Sequence, residues 1–163
     1  MLTKDEECEI ILNMGTIPED KLKWLRSLMP YALKAQEQYP GMRAAVCVAQ
    51  AALETGWGKR PIGGWNLWGI KSMKWVPGSI EIVTHEWDTD TKEHIKITAK
   101  FCAFATPEEA FAAYGRLVNN SPSYSAARGS VDLASYVREL GRVWATDPQY
   151  AQKILLLIRE AAL

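Results

Sequence analysis

Two glutamates in this chain have the surroundings expected of acid–base groups. Glu54 closes an apolar run and is followed by Thr55-Gly56-Trp57-Gly58, whereas Glu86 ends a segment that alternates like a β-strand. Because a buried carboxylate is costly unless it is neutralised or paired, Glu54 is a candidate for a shifted pKa. The pattern alone leaves a second interpretation open, in which Glu54 is a solvated last-turn residue before a glycine stop and Glu86 faces water at a strand end.

A pair of carboxyl groups on opposite walls of a cleft is what hydrolysis of a glycosidic bond requires. One carboxylic acid protonates the leaving oxygen, and the second group activates water, attacks, or stabilises the oxocarbenium-like transition state. The two pKa values must then differ, which the different surroundings of a helix and a hairpin could produce. Spacing alone does not separate this pair from two structural glutamates.

Other chemistries find less support. No serine or cysteine lies in a nucleophile-elbow pattern, and the glycines at 56, 58, 63 and 64 do not form a phosphate-binding loop that leads into a helix. His85 and His94 flank a predicted hairpin turn, so a metal site there stays open, although no zinc-type spacing supports it. We expect neither a metal nor a cofactor.

Composition narrows the class of protein. The 163 residues fit one domain, and 48% hydrophobic with 23% charged residues is ordinary for a globular protein. The formal net charge is zero, so no nucleic-acid partner is indicated. No apolar stretch is long enough to span a bilayer, and Cys8, Cys47 and Cys102 form no disulfide or zinc framework. We expect a monomer without stable membrane association.

The apolar periodicity predicts helices on both sides of one β-hairpin, which is an α+β fold, mainly helical with a small β lobe. In the first half we expect helices from Thr3 to Gly15, from Pro18 towards Tyr39, and up to Glu54 after a Pro40-Gly41 turn. Pro30 should kink or split the second of these helices. A loop follows over 58–79, with one helical turn at 66–71, and then strands at 80–87 and 95–101.

The second half is predicted to be helical. Thr106-Pro107-Glu108-Glu109 is a capping box that opens one helix, and a turn is expected at 121–124. A further helix carries apolar residues from Val131 to Leu140 and ends near Gly141. Asp147-Pro148 is expected to cap and open the last helix.

Tryptophans concentrate in the predicted loop and first strand. Five of the seven lie among glycines, prolines and lysines without a helical period: Trp57, Trp65, Trp68, Trp75 and Trp87. This arrangement favours a groove lined with flat apolar faces over a helical core stripe. By contrast, Phe111 and Tyr136 lie at helical spacing and are expected in the core.

The segments Ala49–Gly58 and Asn66–Lys71 resemble the glucosaminidase family of bacterial peptidoglycan hydrolases, glycoside hydrolase family 73. Further matches, in the same order, are Thr84–Trp87, Phe101 with Phe104, Thr106–Glu109, Tyr124 and Ala145–Ala151. The Glu-Thr-Gly-Trp piece alone would also suit goose-type lysozymes and lytic transglycosylases. The resemblance covers residues 20–163, so residues 1–19 would be an extension helix of a single catalytic domain.

The resemblance implies a lysozyme-like fold and cleavage of the peptidoglycan glycan strand. Glu54 matches the family's general acid, Glu86 its β-lobe base or electrostatic partner, and Tyr150 an active-site tyrosine. Trp144 stands where the family usually has tyrosine. Sugar rings present apolar C–H faces that stack on aromatic rings, and amide and hydroxyl groups can fix the N-acetyl groups. We therefore expect these residues to bind substrate: Trp57, Asn66, Trp68 and Tyr124.

The expected function is thus an endo-β-N-acetylglucosaminidase that acts on peptidoglycan. A muramidase or lytic transglycosylase on the same scaffold stays open, as does a wall-binding module without turnover. Residues 1–7 lack the features of a signal peptide, which predicts synthesis in the cytoplasm. The expected role is that of a phage or prophage endolysin, released to the wall through a holin-type pore.

Overall fold

A computed structural model describes residues 16–88 and 92–163 of the chain, without the side chains of residues 84–88, 93 and 94. The helix predicted between Thr3 and Gly15 lies outside the described residues, as does the centre of the hairpin turn. In the described part, no helix is both long and apolar enough to cross a lipid bilayer.

Helix α1 spans Glu19–Gln38 and runs through Pro30 without interruption, so the predicted split is wrong. Proline removes one main-chain hydrogen bond, to the residue four positions earlier. The carbonyl oxygen of Arg26 therefore lacks its main-chain donor. Because both Pro30 and Arg26 are exposed, water can solvate this oxygen. The opposite face stays anchored in the core through Leu25 and Leu28, which keeps the helix in one piece.

Helix α2 spans Ala44–Thr55 and is buried along almost its whole length. Gly56 ends it in the left-handed conformation, at φ +59°, and its N–H bonds to the carbonyl oxygen of Ala52. Thr55 Oγ1 then accepts from the N–H of Gly58 at 2.7 Å, which braces the turn that follows. The helix ends at Thr55, one residue after the predicted Glu54, and the predicted glycine stop is confirmed.

The β lobe is one antiparallel hairpin. Strand β1 spans Ser79–Asp88 and strand β2 spans Glu93–Cys102, in a register that pairs Ile80 with Phe101 and Glu86 with Ile95. Both predicted strands are confirmed. The preceding loop contains turns and isolated bridges, and the helical turn predicted at 66–71 is not present.

The second half supplies the remaining helices. Helix α3 spans Pro107–Asn120, and Thr106 Oγ1 caps it by accepting from the N–H of Glu109, as predicted. A 3-10 turn at Pro122–Tyr124 leads into α4, Ser125–Arg128. Helix α5 spans Leu133–Trp144 and α6 spans Tyr150–Ala161.

Two predicted boundaries here need correction. Val131 is fully exposed and precedes α5, so it does not belong to the apolar face of that helix. Gly141 does not end α5, which continues for three further residues to Trp144. A Cβ at Gly141 would lie 3.2 Å from the ring of Tyr150, so the glycine permits close packing of α5 on α6 rather than stopping a helix. The α+β class, mainly helical with a small hairpin, is confirmed.

Candidate active site

Glu54 opens onto a cleft of about 500 Å³ between the helical lobe and the loop that precedes the hairpin. The walls combine aromatic, aliphatic and polar groups: Trp68, Gly69, Ile70, Lys71, Ser72, Met73, Leu117, Tyr124, Val143 and Trp144. Two of the four predicted substrate-binding residues, Trp68 and Tyr124, therefore share a cleft with the predicted acid.

The carboxyl group of Glu54 accepts a hydrogen bond from a helix that is distant in sequence. Glu54 lies in the last turn of α2 and is half-buried. Tyr150, the first residue of α6, donates its hydroxyl hydrogen to Glu54 Oε1 at 3.0 Å. The structure thus brings together the predicted acid and the predicted active-site tyrosine.

Tyr150 is buried and is itself held by Gln50, whose Nε2 donates to the tyrosine oxygen at 2.8 Å. Burial raises the pKa of the Tyr150 hydroxyl well above its ordinary value, and the nearby Glu54 carboxylate raises this pKa further. Both effects disfavour the phenolate, so Tyr150 keeps its hydrogen and remains a donor to Glu54.

The aromatic wall is locked by its own contacts. Trp68 Nε1 donates to the carbonyl oxygen of Cys47 at 2.9 Å, and its ring meets Phe111 edge-on at a centroid distance of 4.9 Å. Trp144 packs between Tyr114 and Tyr124, at centroid distances of 5.6 and 6.1 Å. Burial raises the pKa of Tyr124 to about 12, so this hydroxyl is also protonated at neutral pH.

Asn66 lies beneath this wall and not in the cleft lining, which corrects the sequence-based view of it as a groove residue. It is 1% exposed, and its Nδ2 donates to the carbonyl oxygens of Ile70 and Cys102, both at 2.9 Å. Its Oδ1 accepts from the N–H of Ile70 at 2.9 Å. The amide is fully engaged in bracing the loop that carries Trp68.

Trp57 also lies outside the cleft lining. Its ring packs beneath the ammonium of Lys21 on α1, at 4.7 Å from the ring centroid. Its backbone has φ +64°, in the turn that follows α2. The structure therefore places Trp57 against α1, apart from Trp68 and Tyr124.

Glu86 has a described backbone and an undescribed side chain. Its backbone lies on β1 opposite Ile95, and its role as second carboxylate stays a prediction. Glu81, another carboxylate on β1, is exposed and pairs with Lys100 at 3.2 Å. Among residues 16–88 and 92–163, no three His, Cys, Asp or Glu side chains gather closely enough to hold a metal ion.

Two residues of this site were missed from the sequence. Gln50 and Tyr114 are fully buried, and the Tyr114 hydroxyl donates to Gln50 Oε1. The available signal was Gln50 itself, an uncharged polar residue inside an apolar helix and one turn before Glu54. Tyr114 gave no such signal, because its helical spacing matched that of an ordinary core residue.

Comparison with known proteins gives the relatives of this chain. The family model for glucosaminidase, described as mannosyl-glycoprotein endo-beta-N-acetylglucosaminidase, matches residues 29–163. The peptidoglycan hydrolase FlgJ of Vibrio parahaemolyticus is 35% identical over 142 residues, which cover 81% of this chain and 44% of that relative. The chain thus spans less than half the length of this curated relative.

Solved structures share the fold. A peptidoglycan hydrolase mutant from Sphingomonas sp. A1 superposes with a TM-score of 0.70 at 34% identity, covering 86% of this chain and 97% of that one. The C-terminally truncated glycoside hydrolase domain of FlgJ from Salmonella typhimurium gives a TM-score of 0.67 at 31% identity, covering 88% and 99%. Because the family model matches most of this chain, residues 29–163, the chain belongs to the glucosaminidase family of glycoside hydrolases.

Proposed function

We propose that this domain hydrolyses the glycan strand of peptidoglycan, with Glu54 as the general acid. The observation that carries the proposal is the Glu54 carboxyl group in an aromatic cleft, hydrogen-bonded by a tyrosine that stays protonated. Family membership supports the reaction class, and the peptidoglycan hydrolases among its relatives support the substrate.

The cleft provides what an acid-catalysed cleavage needs. Glu54 would donate its proton to the glycosidic oxygen as the bond to the anomeric carbon breaks. Tyr150 then stabilises the carboxylate that remains, since a hydrogen bond donated to an ionised oxygen is stronger than one to a neutral oxygen. Trp144 and Tyr124 offer apolar ring faces for the C–H faces of the sugars.

We assign the second carboxylate to Glu86, as base or electrostatic partner. Glu86→Gln is expected to lower kcat strongly, whereas Glu81→Gln on the same strand should act like the parent because Glu81 is exposed and paired with Lys100. If the Glu86 variant keeps near-full activity and its products carry anhydro ends, the two-carboxylate mechanism is wrong and the domain is a lytic transglycosylase.

Glu54→Gln tests the central assignment. The substitution keeps the shape of the side chain and removes its proton, so we expect kcat on purified peptidoglycan to fall by about 10²–10⁴-fold. The matched control is Glu37→Gln, which changes an exposed glutamate of α1 and should leave turnover unchanged. Clearing of a cell-wall suspension gives the rate.

The same digestion identifies the bond that is cut. Mass spectrometry of the products should show N-acetylglucosamine at the new reducing ends if the domain is an endo-β-N-acetylglucosaminidase. Reducing N-acetylmuramic acid would make it a muramidase. If the parent chain binds peptidoglycan without releasing any fragment, the domain is a wall-binding module and the proposal fails.

A further inference from the structure

Gln50 is a polar side chain in the most apolar part of the fold. It is completely buried on α2, one helical turn before Glu54, with Ala49 and Ala51 on either side. An amide in such a position is costly to bury unless both of its ends find partners. Both ends of Gln50 do.

The partners of Gln50 link three helices into one chain of hydrogen bonds. Tyr114 of α3 donates to Gln50 Oε1, and Gln50 Nε2 donates to the hydroxyl oxygen of Tyr150 on α6 at 2.8 Å. Tyr150 donates in turn to Glu54 Oε1 at 3.0 Å. The chain therefore begins in the core at Tyr114 and ends on the carboxyl group in the cleft.

The amide gives this chain a direction. A glutamine Oε1 can only accept and an Nε2 can only donate, whereas a tyrosine hydroxyl can do both. Because Gln50 Nε2 faces the Tyr150 oxygen, the Tyr150 hydrogen is directed elsewhere, to Glu54. The reversed amide would accept this hydrogen and would leave the Tyr114 hydroxyl hydrogen without its acceptor.

We propose that Gln50, anchored by Tyr114, is a positioning residue that directs the Tyr150 hydroxyl hydrogen onto Glu54 Oε1, so that Glu54 carries its transferable proton on Oε2. In the transfer, the Oε2–H bond breaks and the glycosidic oxygen gains the proton while its bond to the anomeric carbon breaks. The carboxylate left behind keeps the hydrogen bond from Tyr150. The inference rests on the proposed function of Glu54.

Tyr114 offers the cleanest point of attack. Tyr114→Phe keeps the ring that packs on Trp68 and Trp144 and removes only the hydroxyl group. Without this donor, the Gln50 amide can turn and accept from Tyr150, which takes the hydrogen bond away from Glu54. A carboxylate that loses a donor is easier to protonate, so the titration of Glu54 moves to higher pH.

The matched control is Tyr136→Phe. Tyr136 is equally buried, and its hydroxyl donates to the carbonyl oxygen of Gly41 at 3.1 Å, outside the chain that ends on Glu54. Each variant loses one buried tyrosine hydroxyl and one hydrogen bond, so the stability cost should be similar. Among the described residues that line the cleft, the other titratable groups are Lys71 and Tyr124, and both are unchanged in the two variants.

We expect Tyr114→Phe to lower kcat on peptidoglycan roughly tenfold with KM unchanged, and to move the alkaline limb of the pH–rate profile to higher pH. Tyr136→Phe should keep the parent's kcat and limb. A readout that needs no turnover is the ¹³C NMR titration of glutamate carboxyls, with the Glu54 signal assigned by its loss in Glu54→Gln. The titration midpoint of that signal should move to higher pH in Tyr114→Phe and stay at the parent's value in Tyr136→Phe.

The outcomes separate the inference from the proposed function. If Glu54→Gln is inactive while Tyr114→Phe and Tyr136→Phe share the parent's pH profile and Glu54 titration, the positioning role is overturned and the general acid stands. If Glu54→Gln retains full activity, the proposed function fails, whatever the tyrosine variants do. Should Tyr114→Phe unfold, Gln50→Met removes the amide that donates to Tyr150 without adding a charge; Tyr150 then becomes a weaker donor to Glu54, so the Glu54 titration must again move to higher pH.

Discussion

Asn66 shows how one side chain sets the shape of a cleft wall without facing the cleft. Its amide satisfies the N–H and C=O of Ile70 and the C=O of Cys102. Ile70 and Trp68 belong to the same short loop, and Trp68 reaches across it to Cys47 on α2. The asparagine therefore fixes the loop from beneath while the tryptophan fixes it from the helix side.

Two replacements of Asn66 should lower the free energy of unfolding by different amounts. Asn66→Ala removes three hydrogen bonds to the main chain, although the Ile70 carbonyl oxygen keeps the one from the Cys102 N–H, and we expect a loss of about 3 kcal/mol in the free energy of unfolding. Asn66→Asp should cost more, because a carboxylate oxygen would then face the two carbonyl oxygens that Nδ2 now serves. Urea denaturation followed by tryptophan fluorescence measures both.

The control for these variants is Asn120→Ala at the exposed end of α3, which should change stability by less than about 0.5 kcal/mol. An Asn66→Asp protein as stable as Asn66→Ala would show that the two carbonyl contacts do not hold the loop.

At the scale of elements, the start of α6 determines where Tyr150 stands. Asp147 accepts from the N–H of Gln149 at 2.8 Å and pairs with Lys153 at 2.7 Å, and its carbonyl oxygen accepts from the N–H of Tyr150. The sequence indicated Asp147-Pro148 as the opening of the helix, and the structure uses these residues as a turn before Tyr150. The Lys153 partner was not predicted, because a lysine on a helix ordinarily faces water.

This ion pair is asymmetric, and its two halves should respond differently to substitution. The Lys153 side chain is 3% exposed, whereas that of Asp147 is 34% exposed. Asp147→Asn removes a negative charge 2.7 Å from a buried ammonium, so we expect a loss of about 3 kcal/mol. Lys153→Met leaves a carboxylate that water can reach, and should cost about 1 kcal/mol or less.

Thermal and urea unfolding give both values. Asp147→Asn should also lower kcat, because Asp147 forms the turn from which Tyr150 begins α6. The comparison pair is Arg142 with Glu139, where the arginine side chain is 72% exposed; Glu139→Gln should change stability by less than about 1 kcal/mol. Equal costs for Asp147→Asn and Lys153→Met would contradict the burial argument.

Sequence reasoning reached the elements with strong local signals and missed the features that depend on distant neighbours. Capping at Thr106, the stop at Gly56 and the alternation of both strands are local, and all were predicted correctly. Gly141 was misread as a helix end because its reason is the approach of Tyr150 from another helix. Gln50 and Asn66 acquire their roles only from partners on other elements, which a local pattern does not contain.

At the scale of the whole molecule, the hairpin depends on its attachment to the helical lobe. A two-stranded sheet is marginal by itself, and this one exposes Val83 and Ile95. The loop before it is bonded to the end of β2: Cys102 N–H to Ile70 and Ala103 N–H to Gly78, both at 2.9 Å. These bonds fix the base of the hairpin to the loop that lines the cleft.

Gly64 lies at the centre of this attachment and offers a sharp test of it. The N–H of Phe104 bonds to Gly63 and its carbonyl oxygen accepts from Trp65, so Gly64 sits between two main-chain bonds to the same residue. Gly64 has φ +78°, and a Cβ there would overlap the Phe104 carbonyl oxygen. Gly69 has a similar φ of +63°, but a Cβ there would meet no atom within 4 Å.

Gly69→Ala should therefore cost only the backbone strain, about 1 kcal/mol in the free energy of unfolding. Gly64→Ala adds an overlap with a main-chain atom that cannot move without breaking the bonds around it, so we expect roughly 3 kcal/mol or more. It should also lower kcat, because the loop that lines the cleft is no longer fixed to the base of the hairpin. Limited proteolysis should then cut the Gly64→Ala protein within the hairpin before the helices, a difference that Gly69→Ala should not show. Equal stability and equal protease resistance of the two variants would mean that the lobes are held together elsewhere.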